Sequence, residues 1–93
     1  MVLIEIEHLI TVLKDTGWLT KGRFIQKTFF AGTFGGVMNI VNLVAGVAEN
    51  MNHFPSMEVF PDRVKVILTT PDEGGVSNLD IDLAMKINEE LGE

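Results

Sequence analysis

The residue with the clearest capacity for chemistry is His53, one of only two histidines in the 93-residue chain. An imidazole can act as a general acid or base because it exchanges protons near neutral pH. His53 lies where a long apolar stretch ends, and Pro55 follows it. Proline disfavours helical geometry in the residue before it, so we expect His53 at the end of a helix. The alternative is a histidine that only caps the helix or lies on the surface.

Carboxylates are the other candidate groups. Glu49 precedes His53 by four positions, a spacing that puts both side chains on one helix face. It could orient or charge the imidazole, or it could form an ordinary solvated ion pair. Asp72, Glu73 and Asp80 cluster farther along, where a carboxylate could accept N–H donors from a ligand. The alternatives are a polar turn for Asp72 and Glu73 and a helix cap for Asp80.

Other kinds of site find little support. The chain has no cysteine, which excludes disulfides and thiolate catalysis, and two distant histidines do not form a metal-ligand set. Gly32-Thr33-Phe34-Gly35-Gly36 lacks the spacing and the lysine of a phosphate-binding loop, so we expect neither a cofactor nor a metal. A formal net charge of −6 argues against direct nucleic-acid binding.

Bulk properties predict a single cytoplasmic domain over residues 1–93. An apolar content of 46% supports a core, but a domain this small buries a modest fraction of its surface, so oligomerisation would add stability. The longest apolar run, residues 37–48, is too short to span a membrane. The N-terminus lacks the basic start and cleavage site of a signal peptide.

The hydrophobic pattern predicts three helices and four strands. Helices are predicted at residues 4–15, at residues 34–51, and after Ser77, where Asp80 completes a capping box. Strands are predicted at residues 18–20, 23–30, 57–60 and 63–70. This order favours an α+β domain, a four-stranded antiparallel sheet with three helices on one face. The core stripe predicted for the last helix is Ile81, Ala84, Ile87 and Leu91.

Two segments together resemble the signature of the pterin-4α-carbinolamine dehydratase family. They are Ala48-Glu49-Asn50-Met51-Asn52-His53-Phe54-Pro55 and Thr70-Pro71-Asp72-Glu73-Gly74-Gly75-Val76-Ser77-Asn78-Leu79-Asp80. The family usually has two adjacent histidines before the proline and a third beside the later threonine. Here Phe54 stands at the second histidine position and Pro71 at the third. The chain therefore resembles a diverged member with His-Phe-Pro in place of His-His-Pro.

The resemblance implies a homodimer or homotetramer and a pterin as substrate. Family enzymes dehydrate 4a-hydroxy-tetrahydropterin to quinonoid dihydropterin, and histidines move the protons. The resemblance implies that His53 is catalytic and that a further set of residues lines the substrate pocket: Glu49, Phe54, Pro55, Thr70, Pro71, Asp72 and Asp80. Each positioned acid or base contributes about 10²–10⁴-fold, so we expect impaired activity unless Asp72 or Glu73 replaces the missing imidazoles.

The same divergence also resembles a branch of relatives that bind proteins. Dehydratase-like proteins serve as Rubisco assembly factors, and others are dimerisation cofactors for a homeodomain transcription factor. Under this alternative the chain is a non-catalytic scaffold or assembly chaperone, and it binds a protein client through its oligomer surface or former pocket. The family resemblance favours the enzyme, whereas the missing imidazoles favour the scaffold.

Overall fold

A computed structural model describes residues 3–93 of the chain. It contains three α-helices, α1 (Ile6–Leu13), α2 (Phe34–Met51) and α3 (Asn78–Leu91), and four strands, β1 (Leu19–Lys21), β2 (Phe24–Phe30), β3 (Ser56–Val59) and β4 (Arg63–Leu68). A single 3₁₀ turn, Pro71–Glu73, lies between β4 and α3. The predicted order of helices and strands is confirmed. Met1 and Val2, where the sequence starts without signal-peptide features, lie outside the described residues, and the single domain over residues 1–93 stays a prediction.

The four strands form one antiparallel sheet in the order β1-β2-β4-β3. The two central strands, β2 and β4, pair over residues 25–30 and 63–68. Buried and less buried residues alternate along both strands, and the buried apolar ones are Ile25, Phe29, Val64, Val66 and Leu68. These side chains pack with the buried residues of the three helices, so the helices cover one face of the sheet, as predicted.

α2 runs along this buried face and has the bounds that the sequence predicted. Its first turn is capped by Thr33, whose hydroxyl accepts the Gly36 N–H at 3.0 Å. Val37, Val44 and Ala48 are buried in the core. Even this 18-residue helix does not meet the length and apolarity needed to cross a membrane, and no other helix within residues 3–93 does.

α1 is shorter at both ends than the predicted helix over residues 4–15. Ile4 is not helical, and its N–H donates to the Val76 carbonyl oxygen at 2.9 Å. At the other end, the Thr16 hydroxyl donates to the Leu13 carbonyl oxygen at 2.6 Å, and Asp15 has a left-handed φ of 65°. The chain therefore leaves the axis of α1 after Leu13, two residues before the predicted end of the helix.

α3 turns a slightly different face to the core from the one predicted. Leu83 is fully buried, whereas the predicted core residues Ile81 and Leu91 are only half-buried. Two polar residues, Asp80 and Asn88, also point inward and find hydrogen-bond partners there. The apolar stripe is rotated because these polar side chains share the buried face, which apolar periodicity alone does not reveal.

Asn88 lies at the centre of a buried polar network that joins α3 to β2 and to the loop after α1. Trp18 Nε1 and Lys27 Nζ each donate to Asn88 Oδ1 at 3.0 Å. Asn88 Nδ2 donates to the Thr16 carbonyl oxygen at 3.0 Å, and Lys27 forms an ion pair with Glu93 at 2.8 Å. This network fixes the end of α3 that lies opposite Asp80.

Replacing Asn88 by leucine is expected to lower the free energy of unfolding by about 1–3 kcal/mol or more, because the Trp18 indole N–H loses its acceptor and Lys27 loses one of its own. The matched control is Lys27→Met, which leaves the Trp18–Asn88 and Asn88–Thr16 bonds intact and is expected to cost less. Urea unfolding at one protein concentration compares the two variants. Equal costs would contradict the central place of Asn88.

Candidate active site

His53 is positioned by the way α2 ends. Asn52 takes the left-handed conformation, with φ 53° and ψ 41°, and its N–H donates to the carbonyl oxygens of Ala48 and Glu49. The His53 N–H also donates to the Ala48 carbonyl oxygen, at 3.2 Å. These bonds close the last turn in the manner of a left-handed helix cap. The His53 side chain is only 12% exposed, so it is held against the protein rather than extended into solvent.

The imidazole contacts Asp80 at the beginning of α3. His53 Nε2 lies 2.5 Å from Asp80 Oδ1. Asp80 is fully buried, and a carboxylate in that position is tolerated only when donors surround it. The Ser77 backbone N–H and the Thr70 hydroxyl both donate to Asp80 Oδ2, at 2.9 and 2.8 Å. Asp80 therefore caps α3, which confirms that interpretation of the sequence, and it contacts His53 at the same time. Its binding of N–H donors from a ligand stays a prediction.

Thr70 and Ser77 complete this buried cluster from the segment between β4 and α3. Their hydroxyl oxygens lie 2.7 Å apart, and both side chains are buried. The Thr70 N–H donates to the Gly75 carbonyl oxygen at 2.8 Å, which closes the turn over residues 71–74. Three separate parts of the chain thus meet at Asp80: the end of α2, the segment just after β4, and the start of α3.

Other predicted pocket residues line a separate cavity of about 270 Å³, whose lining does not include His53 or Asp80. Its lining residues are Ala45, Ala48, Glu49, Phe54, Pro55 and Met57. The walls are apolar apart from the Glu49 side chain, and the Phe54 side chain is 62% exposed. A cavity of this size, with one carboxylate among apolar walls, suits a small ligand that carries N–H donors.

Not every predicted site residue belongs to the buried cluster around Asp80 or to the lining of the cavity. Pro71 and Asp72 are exposed on the 3₁₀ turn and belong to neither the buried hydrogen bonds nor the lining of the cavity. Within the described part of the chain, Glu49 makes no hydrogen bond or ion pair with His53, and Asp80 is the carboxylate at the imidazole. The substrate-binding roles of these residues stay predictions.

Ser77 is the member of the cluster that the sequence did not indicate as a site residue. The sequence predicted it only as the N-cap of α3, which the structure confirms. Its hydroxyl contact with Thr70 brings it into the site as well. The capping box was a usable signal, because it places Ser77 and Asp80 side by side and so puts any partner of Asp80 near Ser77.

The arrangement of His53 and Asp80 suits proton transfer. When one ring nitrogen is bonded to a buried carboxylate, the other nitrogen is free to accept a proton and give it back. Within residues 3–93, no group of three or more histidine, aspartate and glutamate side chains could hold a metal ion. Fold and site together define an α+β protein whose one histidine–aspartate pair can act as a general acid and base.

Comparisons with known sequences identify the family. The sequence profile of the family Pterin 4 alpha carbinolamine dehydratase matches residues 4–90. A protein of Sulfurisphaera tokodaii, provisionally named pterin-4-alpha-carbinolamine dehydratase, is 44% identical over 78 residues, which cover 84% of each chain. This chain belongs to the pterin-4α-carbinolamine dehydratase family.

Two solved structures show the same fold. A Brucella melitensis protein described as a transcriptional coactivator/pterin dehydratase superposes with a TM-score of 0.84 at 29% identity, over 92% of this chain and 95% of that one. A pterin dehydratase-like protein described as a RuBisCO assembly factor in the alpha-carboxysome superposes with a TM-score of 0.66, over 82% of this chain and 88% of that one. At 16% identity, the second likeness shows the fold alone.

Proposed function

We propose that this protein acts in the cytoplasm as a dehydratase that converts a 4a-hydroxy-tetrahydropterin to the quinonoid dihydropterin. His53 is its one proton-transferring histidine, so its rate is lower than that of a relative with three. The observation that carries this proposal is the 2.5 Å contact between His53 Nε2 and the fully buried Asp80. A carboxylate at a helix start can cap the helix while exposed, and burying it costs free energy that capping alone does not require.

The reaction requires one proton to leave a ring nitrogen and one proton to reach the departing hydroxyl group. As the nitrogen loses its proton to His53, its electron pair forms a C=N double bond to C4a, and the C4a–O bond breaks. The proton held on His53 then passes to the departing oxygen, which leaves as water. His53 returns to its starting state, so a single imidazole balances the reaction without a second acid or base.

The cavity lined by Glu49, Phe54 and Pro55, the last two of which directly follow His53 in the chain, is the proposed binding site for the pterin ring. The Glu49 carboxylate would accept N–H donors from the amino-pyrimidine edge, and the exposed Phe54 ring offers a flat apolar surface for stacking. Pro55 contributes a further apolar wall, and the exposed Pro71 and Asp72 would contact the outer part of the substrate. Phe54 thus supports binding at a position where the family usually supplies an imidazole.

The purified protein is expected to accelerate the dehydration of enzymatically generated 4a-hydroxy-tetrahydropterin above its uncatalysed rate. Replacing His53 by alanine is expected to reduce that acceleration by about 10²–10⁴-fold, the contribution of a positioned base, down to the uncatalysed rate as a floor. A coupled assay of quinonoid dihydropterin formation measures both. The matched control is His8→Ala, because His8 is the second histidine and lies exposed on α1.

Two results would count against this proposal. Equal turnover by the wild type and the His53→Ala variant would remove His53 from the mechanism. The absence of any acceleration by a folded protein would overturn the dehydratase function itself.

A second function, a scaffold or assembly chaperone for a protein client, is favoured by the exposure of Phe54. An exposed aromatic side chain beside an apolar cavity is a common feature of protein-binding surfaces. In either function we infer a homodimer or homotetramer, which light scattering after gel filtration measures. Under the scaffold function, the folded oligomer is inactive in the dehydratase assay, and Phe54→Ala weakens binding of the client.

A further inference from the structure

The geometry points to Nδ1 of His53 as the atom that takes and returns the proton, with the hydroxyl groups of Thr70 and Ser77 as the positioning groups that fix this choice. The inference rests on the proposed function where it concerns turnover. Its structural part, the protonation of one ring nitrogen rather than the other, rests on the hydrogen bonds around Asp80.

The directions of these hydrogen bonds follow from the available donors. A carboxylate oxygen only accepts, so the Thr70 hydroxyl gives its single proton to Asp80 Oδ2, at 2.8 Å. The Ser77 hydroxyl oxygen accepts the Leu79 N–H at 3.2 Å, which leaves the Ser77 proton for Thr70 Oγ1, at 2.7 Å. The Ser77 hydroxyl therefore donates to Thr70 and the Thr70 hydroxyl donates to Asp80, so neither hydroxyl has a proton left for a ligand.

The assignment of donors and acceptors around Asp80 also decides which ring nitrogen of His53 carries its proton. Asp80 Oδ2 already accepts the Ser77 N–H and the Thr70 hydroxyl, and Oδ1 lies 2.5 Å from His53 Nε2. Because the carboxylate cannot donate, Nε2 must be the protonated nitrogen. A neutral imidazole has only one N–H, so Nδ1 has a free lone pair and is the basic atom.

Nδ1 is also the nitrogen that a ligand can reach. Within the described residues Nδ1 makes no hydrogen bond, and none of their buried side-chain nitrogen or oxygen atoms lacks a partner. Nδ1 is therefore not completely buried, although the His53 side chain is only 12% exposed. One ring nitrogen is fixed inside by Asp80, and the other is directed outward as a base.

Thr70 supports this arrangement by holding the carboxylate. It is buried, and its only proton is committed to Asp80 Oδ2. The terminal torsion of an aspartate is broad, so a carboxylate with fewer donors rotates more freely. Rotation of Asp80 would move Oδ1 away from Nε2 and release the ring of His53. Thr70, which the family resemblance suggests as a pocket residue, acts here as a positioning residue, and Ser77 holds its hydroxyl in place.

Nitrogen-15 NMR of the imidazole rings tests the tautomer without any substrate. The chain has two histidines, and the exposed His8 serves as an internal reference for an unconstrained ring. At a pH of about 8.5, above the ordinary titration range of histidine, we expect His53 to show only the Nε2–H form and His8 to show a mixture. A proton on Nδ1 of His53, or the same mixture as His8, would overturn the inference.

The role of Thr70 is tested by two variants of nearly the same shape. Thr70→Val removes the hydroxyl and is expected to lower kcat about tenfold with KM changed less than about twofold, because one hydrogen bond to a charged group is lost. It is also expected to give His53 a mixture of tautomers. Thr70→Ser keeps the hydroxyl and is expected to retain both wild-type properties. A raised KM with unchanged kcat, or an unchanged spectrum in the valine variant, would overturn the positioning role.

These measurements separate this inference from the proposed function. A fixed Nε2–H tautomer in a protein without dehydratase activity would support the positioning of His53 and overturn the proposed reaction. Activity that depends on His53, with the proton on Nδ1 in the resting protein, would support the reaction and overturn the assignment of the basic atom. The wild-type spectrum decides the tautomer even if the valine variant does not fold.

Discussion

Replacing Asp80 by asparagine is expected to remove most of the dehydratase activity because it puts the proton on the wrong nitrogen of His53. Asp80 Oδ2 accepts the Ser77 N–H and the Thr70 hydroxyl, so the carbonyl oxygen of an asparagine would take that position. Its amide NH₂ group would then face Nε2 and donate to it. His53 would carry its own proton on Nδ1, and the proposed basic atom would lose its free lone pair.

The expected loss approaches that of His53→Ala, about 10²–10⁴-fold, because a base in the wrong tautomer contributes nothing. The corresponding aspartate-to-asparagine change in serine proteases lowers kcat about 10⁴-fold for the same reason. The fold is expected to persist, since the asparagine oxygen still accepts the Ser77 N–H and asparagine is a good capping group. Turnover and the His53 tautomer are measured on the same sample.

The matched control for this variant is Asp82→Asn. Asp82 lies on the same helix, is exposed, and loses the same charge. Its turnover is expected to stay close to that of the wild type. An Asp80→Asn variant with wild-type turnover would contradict the role of Asp80. A large loss with the proton still on Nε2 would show that Asp80 acts in some way other than by selecting the tautomer.

The fold was largely predictable because its determinants are local. The bounds of α2 follow from a continuous apolar stripe and from Pro55 just beyond its end. The strands follow from alternation, and short turns made the antiparallel pairs β1–β2 and β3–β4 predictable too. The central pair β2–β4 has no such local signal, because α2 and β3 lie between these strands in the chain. The errors fall where tertiary hydrogen bonds compete with local pattern. The residues just before α1 pair instead with the segment before α3: Leu3 forms an isolated β-bridge with Ser77, and the Ile4 N–H donates to the Val76 carbonyl oxygen.

The site was predictable only in part, because its central contact is not local. His53 and Asp80 were each recognisable as candidates, yet they are 27 positions apart and meet only when α2 packs against α3. Sequence spacing reveals neighbours within one helix, and for that reason it suggested Glu49 as the partner of the imidazole. The two hydroxyl contacts of Thr70 have no spacing signal at all, since they depend on the geometry of the turn over residues 71–74.

The two positions at which the family resemblance predicts further histidines lie outside the buried cluster. Phe54 is exposed at the cavity, and Pro71 is exposed at the first position of the 3₁₀ turn. The buried cluster around Asp80 depends on neither side chain, because its hydrogen bonds come from His53, Thr70 and Ser77. Under the proposed function, Phe54 and Pro71 stand where further proton-transfer groups would act, and the support of His53 does not depend on them.

Under the proposed function, placing histidines at the two positions that the family resemblance suggests, by Phe54→His together with Pro71→His, is expected to raise turnover. Each imidazole that reaches the substrate adds about 10²–10⁴-fold, because a separate acid and base replace the single shuttle on His53. Both positions are exposed, and proline has no N–H whose hydrogen bond could be lost, so the expected cost in stability is small. The coupled dehydratase assay measures the gain, and Phe54→His alone is expected to show part of it.

Two control variants test whether the gain in turnover comes from the new imidazoles acting together with His53. Phe34→His changes another exposed phenylalanine outside the cavity and is expected to leave turnover unchanged. Adding His53→Ala to the restored protein is expected to remove most of the gain, because the new imidazoles work with the base that Asp80 positions. A folded double variant with no increase in turnover would mean that the shape of the pocket does not suit the dehydration, whichever side chains stand at these two positions. The exposed Phe54 would then be better explained as part of a protein-binding surface than as a wall of a pterin site.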